Sequence, residues 1–69
     1  MKKQLEVTPI YLINEKVLVH VHELQENTFM ECTTKDVLKT ILENTGQRIT
    51  IDVKMNMNNT KILKIRKVV

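Results

Sequence analysis

The sequence predicts a small α+β domain in the order β-β-β-α-β-β, a mainly antiparallel sheet with one helix on one face. Three observations carry this. Ile49, Ile51, Val53, Met55 and Met57 alternate without a break with Thr50, Asp52, Lys54 and Asn56, the period of a half-buried strand. One segment, between Thr33 and Gly46, has helical rather than alternating apolar spacing. The first half holds three short apolar runs separated by polar turn residues. At 69 residues, with neither a linker nor an internal repeat, positions 1–69 read as one domain.

The first strand covers Leu5 to Ile13, and Pro9 within it predicts an edge strand or a bulged one. Asn14-Glu15-Lys16 is the next turn. Val17 to Leu24 follows, with Val17, Val19 and Val21 on an apolar face and Leu18, His20, His22 and Leu24 on a mixed one. Gln25-Glu26-Asn27 turns the chain again, and Thr28 to Cys32 returns antiparallel. Thr33 or Thr34 then caps a helix whose stripe is Val37, Leu38, Ile41 and Leu42. Asp36, three residues after Thr33, is a weaker form of the capping-box acid, and Gly46 supplies the left-handed residue that ends the helix.

Register selects the turn between the last two strands. A two-residue Asn58-Asn59 loop would set Lys64 opposite Val53 and Arg66 opposite Ile51, placing charge on the apolar face. A three-residue loop through Thr60 instead pairs Met55 with Leu63 and Val53 with Ile65. The outer face then carries Lys54 beside Lys64 and Asp52 beside Arg66, flanked by Ile62 and Val68. A surface both basic and apolar is expected to be a contact face, made of Lys54, Ile62, Lys64, Arg66 and Val68.

The net charge of +3 hides a split. Residues 1–32 hold Lys2, Lys3 and Lys16 against Glu6, Glu15, Glu23, Glu26 and Glu31, a net −2, whereas residues 33–69 are +5. Such asymmetry suits a nucleic-acid face or two complementary surfaces in an assembly. Against nucleic acid, Tyr11 and Phe29 are the only aromatics, which argues against a stacking platform.

Little chemistry is signalled. His20-Val21-His22 has metal-like spacing on a strand, but a tetrahedral site needs a third and fourth ligand. Glu23 points to the other face, and Glu31 or Cys32 would come near only across a hairpin. Two histidines on a solvated or subunit-facing strand are the expected outcome. Cys32, just before the helix, reads as a small buried residue rather than a nucleophile. With no paired-carboxylate spacing and Gly46 the sole glycine, the expectation is no enzyme activity, no catalytic residue, no metal and no cofactor.

A lone Cys forbids an internal disulfide, so a domain this small is expected to gain stability by homo-oligomerisation. One helix cannot cover both faces of the sheet, which leaves an apolar face or an edge strand for a second copy. The unpaired thiol and the lack of a signal-peptide core point to a cytoplasmic protein without membrane association, and Met1 to a small protein encoded as such.

The runs Thr34-Lys35-Asp36-Val37-Leu38-Lys39-Thr40-Ile41-Leu42 and Gly46-Gln47-Arg48-Ile49-Thr50-Ile51-Asp52-Val53-Lys54 resemble the YonK-type small prophage proteins, in which a short helix ends at a Gly and runs into a strand. The resemblance covers about a third of the chain, and Pro9 and the tail from Lys61 to Val69 depart from it. It implies a phage-derived homo-oligomer and transfers no functional residue. The function expected from all of this is a non-enzymatic oligomeric binding protein that modulates a host or viral protein by contact. The alternative is a nucleic-acid-binding regulator using the basic C-terminal strand.

Overall fold

The computed structural model describes residues 2–54 and 63–69, with side chains from Gln4 onward. The element order is as expected: β1 Lys2–Ile13, β2 Lys16–Val21, β3 Glu26–Cys32, α1 Lys35–Glu43, β4 Ile49–Lys54 and β5 Leu63–Val68. The architecture is mostly β. The five strands close into a barrel in the order β1-β2-β3-β5-β4, and the last closure, β3 with β5, is parallel. This corrects the open, helix-covered sheet that the α+β reading implies. A closed barrel supplies its own interior, and each of the five strands has a paired neighbour on both sides over part of its length.

Closure depends on β1 serving two neighbours. Its first half pairs with β4, from Lys2↔Lys54 to Val7↔Ile49, and its second half with β2, from Val7↔Val21 to Ile13↔Lys16. The ladder slips between Pro9 and Tyr11, so of the two readings of Pro9 the bulge holds and the edge strand does not. Pro9 is fully buried, and its carbonyl accepts a 2.8 Å hydrogen bond from the Gly46 amide. The N–H and C=O of one strand residue point the same way. The missing donor of Pro9 therefore faces the Gly46 loop rather than β2, and costs the β1–β2 ladder nothing.

The interior is filled by Leu5, Val7, Val17, Val19, Val21, Met30, Ile51, Val53 and Ile65, with Ile41 of α1 inserted among them. These are the inward parity of each strand, as the alternation predicts. Leu42, expected on the buried stripe of the helix, is 39% exposed instead. The Thr34 hydroxyl is the cap and accepts from the Val37 amide at 3.2 Å. Asp36 then sits at the second helical position, where it favours the helix dipole but cannot complete a capping box. The helix stops at Asn44, and Gly46, at φ +82°, is left-handed two residues later. An added Cβ there would meet no neighbour, so backbone conformation alone selects glycine.

Two turns differ from their expected positions or chemistry. β2 ends at Val21, so His22 and Leu24 belong to the turn, which closes with Gln25 at φ 57° before Glu26. The β1–β2 turn is the two-residue Asn14-Glu15, with φ of 49° and 64°, the type I′ form. Asn tolerates that region, whereas Glu pays about 1 kcal/mol to be there. Glu15→Gly should therefore stabilise the fold by about 0.5–1 kcal/mol after the added chain entropy of glycine, raising Tm by roughly 3–6 °C in a thermal melt.

Candidate functional site

The three-residue turn expected at Asn58 to Thr60, the Met55–Leu63 pair and Ile62 lie outside the described residues. The register it implies is present in part. Val53 pairs with Ile65 and Lys54 with Lys64, and the register then slips by one, so that Asp52 faces Lys67 and Ile51 faces Val68. The bulge falls at Arg66 and reverses the parity of everything after it. Val68 consequently turns inward and packs on the core rather than flanking the basic face, and Asp52 does not pair with Arg66. Of the expected contact face, Lys54, Lys64 and Arg66 remain exposed. Asp52 is 3% exposed, and its Oδ1 has no hydrogen-bond partner among the described residues.

A different surface comes together on the outside of β1, β2 and β3. Tyr11 pairs with Leu18, and Leu18 with Phe29, so the three form one cross-strand row. Tyr11 is 49% exposed and Phe29 39%, on strands that lie about 10 Å apart with β2 between them. Distant in sequence, the two aromatics are joined by register. The signal available in the sequence was the outward parity of Leu18 and Phe29 in the β2–β3 hairpin.

On one side of this row stand Thr8, His20 and Asn27, again in register. Asn27 Oδ1 accepts from His20 Nδ1 at 2.8 Å, and Thr8 Oγ1 and His22 Nε2 share a 2.7 Å hydrogen bond. The two imidazoles meet edge to face with centroids 5.0 Å apart. Glu31 lies opposite Lys16 and Cys32 opposite Ile65, so neither approaches the histidines. Among the described residues no group of three or more His, Cys, Asp or Glu is placed to hold a metal. These polar contacts orient His20 and His22 as part of the surface.

On the other side of the aromatic row, about 7 Å away along the strands, runs a belt of charge. Register carries it round the barrel from Lys16 to Glu31, Lys64 and Lys54. Lys64 and Lys54 are directly opposed, an unfavourable like-charge pair. The belt lies at the rim that bears the Asn14-Glu15 turn, where a cavity of about 470 Å³ opens between that turn, the end of β3 and the start of α1. The one ion pair among the described residues, Arg48 with Glu6, lies elsewhere and is exposed, with the Arg48 Nε donating to Glu6 Oε2 at 2.6 Å.

No family model, no curated protein and no solved structure matches this chain. No helix of the described residues is long and apolar enough to cross a membrane.

Cys32 lines the rim cavity and is half-buried, and burial pushes its thiol from 9.0 up to about 11. A thiol so placed is a poor nucleophile at neutral pH. Raising the pKa by about two units leaves roughly one hundredth of the thiolate, so iodoacetamide should alkylate Cys32 about a hundredfold more slowly than a free cysteine at pH 7.5. The rate should keep rising as pH passes 9 and level only near 11 while the fold persists. Saturation near pH 9, read by mass spectrometry on folded protein, would contradict that burial.

Proposed function

We propose that this chain binds single-stranded nucleic acid, with bases stacked on the outer face of β1–β3 and phosphates tracked by the adjacent lysines. The observation that carries the reading is the outward row Tyr11–Leu18–Phe29, its two aromatics exposed, beside a charged belt in which Lys16 and Glu31 flank the row and Lys64 and Lys54 continue it on β5 and β4. A spacing of about 7 Å between the two rows suits a nucleotide whose base and phosphate engage different rows. Aromatic faces accept any base, and lysines accept any phosphate, so the expected binding is tolerant of sequence.

The topology supports the same reading by analogy. A five-stranded Greek-key barrel of order 1-2-3-5-4, with its helix between the third and fourth strands, has the plan of the oligonucleotide/oligosaccharide-binding barrel. In that fold the face of strands 2 and 3 and the loops 1–2 and 4–5 bind the ligand. Fold alone assigns no activity; the argument lies in the residues that this chain places on that face.

Fluorescence anisotropy with a labelled 12-nucleotide mixed-sequence strand tests it. Affinity should fall with salt at a log–log slope of about −2, the value for three phosphate contacts on a single strand. Tyr11→Ala and Phe29→Ala should each weaken binding about tenfold, since stacking is worth about 1–3 kcal/mol per base. Both positions are exposed, so circular dichroism should show the fold retained. Binding that ignores salt and both substitutions would refute the proposal.

A second reading has its own observation. Ile10, Leu12 and Ile13 are each 38–48% exposed near the β1–β2 turn, and Ile13 shares the outward parity of Tyr11. These exposed apolar side chains suit a protein partner, either a second copy or the host or viral protein that the prophage resemblance implies. Light scattering at tens of micromolar separates these: an oligomer dissociated by Ile13→Lys favours this reading, and a strict monomer excludes the second copy.

A further inference from the structure

We propose that the cavity at the barrel rim is a binding site for a phosphorylated nucleoside, either free or as the terminal nucleotide of a bound strand. Its charged walls come from five parts of the chain: Glu15 from the β1–β2 turn, Glu31 from β3, Lys35 from α1, Lys54 from the end of β4 and Lys64 from the start of β5. The three ammonium groups are exposed, and none is in an ion pair among the described residues. Lys54 and Lys64 are fixed opposite one another by the ladder, so they cannot separate without breaking register. A phosphate between them turns that repulsion into two charge-assisted hydrogen bonds, with Lys35 placed for a third.

Phosphate alone does not account for the site. Glu15 and Glu31 line the same cavity, and carboxylates would repel a bare anion. They suit a ligand that presents donors at its other end, as ribose hydroxyls and the amino group of a base do. The volume of about 470 Å³ is also too large for one phosphate, and falls within the roughly 300–1,000 Å³ of small-ligand sites. Leu38 and the thiol of Cys32 provide an apolar stretch of wall, and the thiol stays neutral beside the phosphate because burial holds its pKa up to about 11. The cavity shares Glu31, Lys64 and Lys54 with the charged belt beside the aromatic row, so a strand lying on that row comes close to it. The strand-end source rests on the proposed nucleic-acid reading; the free-nucleotide source does not.

Isothermal titration of the full chain with AMP, adenosine and inorganic phosphate tests the pocket. AMP should bind at least about tenfold more tightly than either fragment, since adenosine lacks the lysine contacts and phosphate lacks the donors that face Glu15 and Glu31. The Lys54→Ala/Lys64→Ala double substitution should abolish that advantage with circular dichroism unchanged, and Lys39→Ala, on the helix outside the cavity, should leave it intact. AMP binding no better than adenosine, or AMP binding indifferent to the double substitution, overturns the proposal, whatever oligonucleotides do. Twelve-nucleotide strands with a 5′-phosphate, a 3′-phosphate or neither then identify the source. Tighter binding of one phosphorylated strand, lost in the double substitution, assigns the pocket to a strand end. Equal binding of all three beside lysine-dependent AMP binding assigns it to a free nucleotide.

Discussion

Everything in this fold depends on one strand having two partners. β1 pairs with β4 through its first half and with β2 through its second, and Val7 is the residue that belongs to both ladders. A flat strand could not do this, because its neighbours would have to continue side by side. The bulge at Pro9–Tyr11 bends and twists β1 so that the sheet curls far enough for β3 to reach β5. Proline is suited to the bend because its missing donor faces the Gly46 loop, which returns a hydrogen bond to its carbonyl. Gly46 therefore ties the end of the helix to the point where the barrel turns.

That bend explains what was legible in the sequence and what was not. Local alternation named the inward residues of β2 and β4 correctly, because parity within a strand needs no knowledge of the partner. The Lys54–Lys64 opposition was likewise legible, since apolar matching across a hairpin fixes its register. Closure was not. It rests on a parallel pairing of Met30, Glu31 and Cys32 with Leu63, Lys64 and Ile65, between segments separated by the helix and β4. No local pattern announces such a contact, and without it the second apolar parity of the strands looks like a surface awaiting a partner. Closure houses the inward parity, while Ile10, Tyr11, Leu12, Ile13 and Phe29 stay exposed.

The bulge at Arg66 caused the second misreading. Alternation assumes that parity persists to the end of a strand, and one extra residue reverses it. Val68 goes inward to meet Ile51, and Asp52 takes Lys67 as its cross-strand neighbour. The aromatic row was missed for a related reason. Tyr11 and Phe29 are far apart in sequence, position in a sheet is set by register, and Leu18 is the link that brings them into line.

The outer surface then divides according to what each row costs the protein. Exposed Tyr11 and Phe29 forgo burial that a barrel this small could use, and opposed Lys54 and Lys64 add repulsion to one of its closing seams. Neither feature helps the fold. A carboxylate in place of either lysine would relieve the seam, and a polar residue at Phe29 would leave the interior untouched, because that side chain lies outside it. Structural demand accounts for the valines within and the bulges that close the wall. It does not account for an apolar row and a basic row set side by side on the outside. Residues that burden the fold without building it are where a ligand accounts for what packing cannot.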